Sequence, residues 1–197
     1  MNSNNSEEFR IRKGRPEDAP AISRVIRMAL HEEGCMALAG TEDRLPLIYK
    51  VFTTLAERPD SQYSYLNTLV AEDPDGNVAG AIVCYDGARL HQLRRAFVEV
   101  ANDLTGSNFV EEEMDLETSD DEIYLDSLAV FPEYRGRKLA MRLIDAACRQ
   151  HADTGKPFGL LCAPGNDNAY RLYEYLGFRE IGLRPFAGIM MHHMIRQ

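Results

Sequence analysis

Three basic residues stand together where a predicted strand gives way to a predicted helix. Arg135, Arg137 and Lys138 follow the strand-like stretch that begins at Glu122, and Pro132 separates them from it. Apolar residues then recur at helical spacing, at Leu139, Leu143, Ala146 and Ala147. A helix start offers unpaired N–H groups and the positive end of the helix dipole, and both attract phosphate. Because cations at this end oppose the dipole, an anionic ligand explains them better than helix stability does.

Two segments, VFPEYRGRKLA (130–140) and NDNAYRLYEYLGF (166–178), carry a resemblance to a known family. The first resembles the cofactor loop of the GNAT superfamily of acyl-CoA-dependent N-acyltransferases, Val-x-Pro-x-x-Arg-Gly-x-Gly-Ile-Gly/Ala. The matching positions are Val130, Pro132, Arg135, Gly136 and Ala140, with Leu139 in place of the isoleucine. The departure is Lys138, where the family usually has a second glycine. Its side chain either crowds the pyrophosphate or contacts a phosphate through its ammonium group.

The second segment resembles the family's Asn-x-x-Ala-x-x-Leu-Tyr-x-x-x-Gly-Phe helix. The matching positions are Asn166, Ala169, Leu172, Tyr173, Gly177 and Phe178. The resemblance implies an α/β fold, the GNAT fold, with a mixed, mostly antiparallel central sheet of about six to seven strands flanked by helices. It also implies direct transfer of an acetyl group from acetyl-CoA to a primary amine.

The resemblance further implies which residues hold acetyl-CoA. The backbone of Leu128, Ala129 and Val130 would pair with the pantetheine arm like an added strand, and one N–H group there could polarise the thioester carbonyl. The N–H groups of the loop would hold the pyrophosphate, at Arg135, Gly136, Arg137, Lys138, Leu139 and Ala140. Asn166 would hydrogen-bond the pantetheine arm, although an asparagine at this position could equally be a helix N-cap.

Acyl transfer to an amine needs one group that takes the amine's proton and another that protonates the departing thiolate. By resemblance, Tyr173 is the candidate general acid, with core packing as the alternative role. Strand alternation places Tyr124, Asp126 and Leu128 on one face of the predicted strand. Asp126 is the carboxylate on that face and is the predicted general base, with Glu122 as the second choice. The alternative for Asp126 is a structural ion pair or backbone cap.

The elements that position these residues can be read along the chain. Expected strands are 9–14, 69–73, 79–86, 157–163, 178–182 and 187–195, and expected helices are 22–30, 44–56 and 88–104. The segment 32–43 is expected to be a mobile acidic loop. The acid-rich segment 110–122 is expected to be disordered or a solvated face, or else an electrostatic funnel for a cationic acceptor. His192 and His193 are neighbours on the last strand and cannot both face the core.

Length and composition favour one acetyltransferase domain over 1–197, with 1–8 frayed and 88–121 as a family-variable insertion. The 22 basic and 31 acidic residues give a net charge of −9, which argues against nucleic-acid binding and suits a cationic substrate. The four cysteines are widely spaced, so neither a disulfide framework nor a metal site is expected. A signal peptide and a membrane span are not evident, so a cytoplasmic protein without membrane contact is expected.

The identity of the acceptor is left open by the sequence. A small-molecule amine is the first expectation, and a protein N-terminus or lysine is an alternative. A second alternative is a GNAT-fold protein that binds acyl-CoA as a sensor or scaffold without efficient turnover. The sequence is also compatible with a homodimer.

Overall fold

Seven strands and five α-helices lie within residues 9–197, the part of the chain that this computed structural model describes. The helices are α1 (Ala19–Ala39), α2 (Leu45–Glu57), α3 (Leu90–Thr105), α4 (Leu139–Gln150) and α5 (Asp167–Tyr175). The strands are β1 (Arg10–Lys13), β2 (Thr68–Glu72), β3 (Val78–Asp86), β4 (Ile123–Val130), β5 (Phe158–Cys162), β6 (Arg179–Phe186) and β7 (Ile189–Arg196). Residues 1–8, for which fraying was expected, lie outside the described residues.

Seven strands form one sheet in the order β1-β2-β3-β4-β5-β7-β6. Neighbouring strands are antiparallel except for β4 and β5, which are parallel. Helices α1, α2 and α3 pack around Val83, Tyr85 and Tyr124 on one face. Helix α4 packs around Ile82 and Leu125 on the other. The predicted α/β fold, with a mixed, mostly antiparallel sheet flanked by helices, is confirmed.

The β2–β3 hairpin shows how local sequence sets the register of this sheet. The Oδ1 atom of Asp73 accepts hydrogen bonds from the N–H groups of Asp75 and Asn77, at 3.0 and 2.8 Å. Gly76 has a φ of 86°, which glycine adopts without steric cost. The tight turn brings β3 back antiparallel to β2, and β3 then pairs with β4 along its other side.

Strands β4 and β5 are paired only where they begin. Within the described residues, their pairs are Ile123 with Phe158 and Tyr124 with Gly159. Beyond Tyr124, β4 continues to pair with β3 on one side, while β5 diverges from its other side. The N–H and C=O groups on that side are therefore open to a ligand, as they are at a sheet edge.

A β-bulge in β4 changes which face its side chains occupy. The register with β3 skips Asp126, which is the extra residue of the bulge. Tyr124 and Asp126 both lie on the α1–α3 face, where Asp126 contacts Tyr85. Leu128, however, packs on the opposite face with Leu125. The prediction from simple alternation, which put Leu128 and Asp126 on the same face of the strand, is therefore wrong for Leu128, because alternation does not allow for an extra residue.

Helix α1 is longer than the sequence suggested. It continues through 32–39, which was expected to belong to a mobile loop, and it ends at Ala39. Cys35 and Ala39 are four residues apart and are both buried in the core that α1 shares with α2. The helical path is broken at His31, whose backbone has φ 58° and ψ 177°. Burial of one face therefore orders this acidic-looking segment.

The acidic segment 110–122 is also more ordered than expected. It carries a short 3₁₀ turn at Glu111–Glu113, and two of its carboxylates are almost fully buried: Glu117 is 3% exposed and Glu122 is 1% exposed. A solvated acidic face is therefore the wrong description of these two residues. Each is buried with hydrogen-bonding partners, as a buried charge requires.

The Glu122 carboxylate ties the acidic segment to the centre of the sheet. It accepts hydrogen bonds from Thr118 Oγ1 (2.6 Å), from the Ser119 N–H (2.9 Å) and from His193 Nε2 (2.9 Å). Burial alone would raise the pKa of Glu122, but the hydrogen bonds from His193, Thr118 and Ser119 lower it below its usual range. A Cβ atom at Gly159 would collide with this carboxylate. The cluster therefore spans β4, β5 and β7 at the point where β4 and β5 meet.

We expect Glu122→Gln to lower the free energy of unfolding by about 2 kcal/mol, because charge-assisted hydrogen bonds are replaced by weaker ones inside the core. Asp121→Asn changes an exposed neighbour in the same segment and should change the free energy of unfolding by less than about 0.5 kcal/mol. Urea unfolding at neutral pH measures both.

The pH dependence gives a second check of the same cluster. A carboxylate with a lowered pKa stabilises the fold above its unfolded pKa, and this contribution is lost as the pH falls. The difference in the free energy of unfolding between wild type and Glu122→Gln should therefore shrink below about pH 4.3. A difference that does not change with pH would contradict the assigned ionisation.

Candidate active site

A cavity of about 690 Å³ opens between the diverging strands β4 and β5. Parts of α1, α4 and α5 form its other walls. It contains most of the residues that the sequence predicted to hold a cofactor: Leu128, Ala129, Val130, Arg135, Gly136, Ala140 and Asn166. The open edge of β4 runs along one side of this cavity, and Arg135 Nε donates to Val130 O at 3.3 Å. The basic loop is thereby held against the end of the strand.

The N-terminus of α4 borders the cavity at Ala140. The helix's own hydrogen bonds begin with the Arg142 N–H donating to Lys138 O at 3.2 Å, so the N–H groups of 139–141 have no partner within the helix. Gly136 and Lys138 have φ values of 77° and 59°. Such positive φ values in a turn gather N–H groups into an anion-binding concavity. This end of the cavity therefore suits phosphate groups.

Three of the predicted cofactor residues do not line the cavity. Lys138 adopts the left-handed backbone that glycine favours, and its side chain is exposed. The left-handed backbone at Lys138 costs about 1 kcal/mol of strain. The Lys138 side chain does not line the cavity. Arg137 lies over the ring of Phe9, 5.4 Å from its centroid. Leu139 is buried in the core beneath α4, so only its N–H group could serve a ligand.

Tyr173 projects from α5 and lines the same cavity. Its ring packs edge-on against Phe178, with 5.9 Å between the centroids. Burial raises the pKa of Tyr173 well above its usual range, so the hydroxyl is protonated at neutral pH and can donate a proton. Asn166 caps α5, since its Oδ1 accepts from the Ala169 N–H at 3.3 Å, and it also lines the cavity. The N-cap role that the sequence left open is therefore present.

Asp126 lines the cavity from the bulge in β4. Its carboxylate accepts hydrogen bonds from Tyr85 Oη at 2.9 Å and from Ser127 Oγ at 2.7 Å. Burial raises the pKa of Asp126, and those hydrogen bonds only partly offset the effect. A carboxylate with a raised pKa beside a ligand cavity has the properties of a general base.

A second cavity, of about 280 Å³, lies between α1 and α3. Its apolar lining includes Leu30, Leu38, Phe97, Phe109, Met114 and Phe186. The polar side chain of Gln62 also lines this cavity. Its Nε2 donates to Glu117 Oε1 at 3.4 Å, and a hydrogen bond from Gln62 also lowers the pKa of Asp126. Leu30 lines the second cavity and its neighbours Ala29 and His31 line the first, so the two cavities are adjacent.

Sequence reasoning missed Arg94 and Glu117, which form a buried ion pair in the wall of the second cavity. Burial raises the pKa of Glu117 to about 7; Arg94 opposes this effect and Asp126 adds to it. One signal was visible in the sequence: Arg94 lies four residues after Leu90 and three before Phe97, on the apolar face of α3. A charge on such a face indicates a buried partner or ligand.

The other candidate residues lie away from both cavities. Glu122, the second choice for the base, is occupied by the structural cluster with His193. His193 is 4% exposed, whereas His192 is partly exposed and its Nδ1 atom lies 3.0 Å from Glu180. As expected, the two histidines do not both face the core.

Cysteine and metal chemistry find little support in the described residues. Cys84 Sγ lies 3.7 Å from His151 Nε2, but burial raises the pKa of the thiol to about 12 and lowers that of the imidazole. The pair is therefore neutral and has no nucleophilic thiolate. Residues 9–197 contain no cluster of three His, Cys, Asp or Glu side chains that could hold a metal ion. No helix in this range has the length and apolar character needed to cross a bilayer.

Comparisons with known proteins agree with this geometry. The model of the Acetyltransferase (GNAT) family matches residues 28–178, whereas a search of the curated proteins gave no match. A solved N-acetyltransferase from Staphylococcus aureus Mu50 is 25% identical, with a TM-score of 0.77, and the alignment covers 95% of this chain and 100% of that one. A second structure, described as an acetyltransferase, is 26% identical, with a TM-score of 0.74 and coverage of 95% and 98%. The chain therefore belongs to the GNAT acetyltransferase family and is an acyltransferase.

Proposed function

We propose that this protein transfers the acetyl group of acetyl-CoA directly to the primary amine of a small molecule. The observation that carries the proposal is the pair of adjacent cavities that meet at residues 28–31 of α1. The larger follows the open edge of β4 to the N-terminus of α4, and the smaller is lined mainly by apolar groups. A cavity of about 280 Å³ is slightly below the usual size range for drug-sized ligands. It favours a small amine over a protein segment.

The residues around the larger cavity fit acetyl-CoA, which supplies the activated acyl group. Leu128, Ala129 and Val130 offer backbone N–H and C=O groups to the pantetheine arm, as an edge strand offers them to an added strand. The first-turn N–H groups of α4 and the guanidinium of Arg135 meet the pyrophosphate. Asn166 borders the pantetheine path while capping α5. The exposed ammonium of Lys138 contributes positive charge at the phosphate end.

Two side chains handle the protons of the reaction. Asp126 accepts a proton from the acceptor amine, which is mostly protonated at neutral pH. The amine nitrogen then forms its bond to the acyl carbon as the carbon–sulfur bond breaks, and the nitrogen loses its second proton, which restores the hydroxyl of Tyr173 after that residue has protonated the sulfur. Tyr173 donates its hydroxyl proton to the departing sulfur. Both roles require only groups that already line the larger cavity.

The remaining features of the proposal concern the chain as a whole. We take residues 1–197 as one acetyltransferase domain in which 88–121 is the family-variable part, since a single sheet runs through the described residues. All four cysteines are free, which suits a reducing compartment and supports a cytoplasmic location.

The proposal is tested first by turnover. Purified protein with acetyl-CoA should release free thiol in the presence of small primary amines and should be much slower with unstructured peptides, whether the amine is an N-terminus or a lysine. A clear preference for the peptides would contradict the small-molecule proposal while leaving the acyltransferase assignment intact. No acetyl-CoA binding at all would contradict the whole proposal.

Gly136→Ala should weaken acetyl-CoA binding about tenfold, because a Cβ at positive φ costs 1–2 kcal/mol or forces the loop amides to turn away. No atom lies within 4 Å of that Cβ, so packing is not disturbed. Gly155→Ala carries a similar strain (φ 67°) in open space before β5 and is the matched control. Calorimetric titration with acetyl-CoA should show a loss of affinity for Gly136→Ala and none for Gly155→Ala. Equal affinities of the two variants would argue against phosphate binding at this loop.

Tyr173→Phe should lower kcat about a hundredfold, the usual scale for loss of a general acid, and leave acetyl-CoA affinity nearly unchanged. Tyr175→Phe removes a hydroxyl from an exposed position on the same helix and should leave kcat unchanged. Steady-state thiol release measures both variants. Unchanged turnover in Tyr173→Phe would assign this ring to packing against Phe178.

Asp126→Asn should lower kcat/KM at neutral pH and abolish the decline in activity on the acid side of the pH profile. Because burial raises the pKa of Asp126, the wild-type enzyme should lose activity as the pH falls through that pKa, where the carboxylate becomes protonated. If the acid-side decline persists in Asp126→Asn and disappears in Glu117→Gln, the base is Glu117 instead.

A further inference from the structure

The second cavity contains buried polar groups that lack partners. Among the described residues, Arg94 Nε, Arg94 Nη1 and Gln62 Oε1 are buried and make no hydrogen bond. Arg94 is 1% exposed and Gln62 is 4% exposed. A buried polar atom without a partner costs about 1–3 kcal/mol, and native proteins contain few of them. Three such atoms in the wall of one cavity indicate a ligand that satisfies them.

The orientation of Arg94 is fixed by its other contacts. Its Nη2 donates to Asp115 O at 2.9 Å and also contacts the Glu117 carboxylate. Its Nη1 lies 3.9 Å from Glu111 Oε1, beyond hydrogen-bonding distance. One edge of the guanidinium is therefore anchored, and the two unpartnered N–H sites can receive an oxygen atom. The planar fork of an arginine gives this recognition a defined geometry.

The charge around the cavity selects among oxygen-containing ligands. Glu113, Asp115 and Glu117 line it, and Arg94 is the single cation among the lining residues. This balance favours an ammonium group and disfavours a ligand carboxylate. The oxygen that meets Arg94 should therefore belong to a neutral group. Gln62 Oε1 needs a donor, which an ammonium group provides.

We propose that the second cavity is the acceptor site and that it takes a small amine with a compact apolar body and a neutral oxygen close to the amine. The oxygen is bound by Arg94, and the ammonium group is bound by Gln62 Oε1 and the Glu117 carboxylate. The apolar body packs against Leu30, Leu38, Phe97, Phe109 and Met114. This inference rests on the proposed acyl transfer. Leu30, which lines this cavity, is flanked along α1 by Ala29 and His31 of the larger cavity, so the two sites adjoin.

Three matched probes separate the elements of this recognition. Leucinamide carries the amine, the apolar body and a neutral oxygen; isopentylamine lacks the oxygen; leucine replaces it with a carboxylate. Each is titrated calorimetrically into the full-length protein saturated with CoA, so binding is measured without turnover. We expect leucinamide to bind at least about tenfold more tightly than either of the others, as one charge-assisted hydrogen bond would give.

Variants then test the assigned atoms. Arg94→Lys keeps a positive charge beside Glu117 but lacks the Nε donor and the planar fork, and it should remove the preference for leucinamide over isopentylamine. Glu117→Gln should weaken the binding of both amines and keep the preference for leucinamide over isopentylamine. Arg95→Met changes the exposed neighbour on α3 and should behave as wild type. CoA affinity measured on each variant verifies that it is folded.

The outcomes distinguish this inference from the proposed function. If the probes bind in the expected order but none is acetylated, the site assignment stands and the proposed acyl transfer is wrong. If amines are acetylated but Arg94→Lys leaves their order of affinity unchanged, acyl transfer stands and this recognition is wrong. If none of the three probes binds, the cavity holds only water and the inference is overturned.

Discussion

The structure depends on the short contact between β4 and β5. Two residue pairs join the strands there, and the Glu122 carboxylate, hydrogen-bonded to Thr118, Ser119 and His193, reinforces the contact. A longer contact would close the sheet and leave no cavity, and a weaker one would separate β5 and β7 from the rest. The absence of a side chain at Gly159 is part of this arrangement, because it leaves room for the carboxylate.

The functional features follow from that divergence. Once β5 leaves β4, the edge of β4 is free, and the helix that follows β4 presents its N-terminus to the same opening. The bulge at Asp126 then directs one carboxylate into the gap. On the α1–α3 face, the acidic segment contributes the buried Glu117, which accepts a hydrogen bond from Gln62. Residues of β4, α4 and α5 thus line much of one cavity, and residues of α3 and the acidic segment line much of the other.

The sequence predicted the features that are local. The loop at Arg135 and Gly136 and the helix with Tyr173 are each contained within about a dozen consecutive residues, so their patterns can be recognised directly. The mixed, mostly antiparallel sheet of seven strands agreed with the resemblance. The bulge at Asp126 was not predictable from alternation, since it appears only in the register with β3. Glu117 was misread for a similar reason: its partner Arg94 is 23 residues away, and a run of acidic residues by itself indicates solvent exposure. The helical character of 32–39 likewise depends on burial of Cys35 and Ala39 against α2.

The break in α1 at His31 has a consequence for how the two cavities affect each other. Met28, Ala29 and His31 line the larger cavity, whereas Leu30, Gly34 and Leu38 line the smaller one. One helix is therefore a shared wall, and a ligand that shifts either half changes the shape offered to the other ligand. Thermodynamic reciprocity requires that any affinity so gained by the second ligand is gained equally by the first. The kinked helix is thus an element through which occupancy of one cavity can change the affinity of the other.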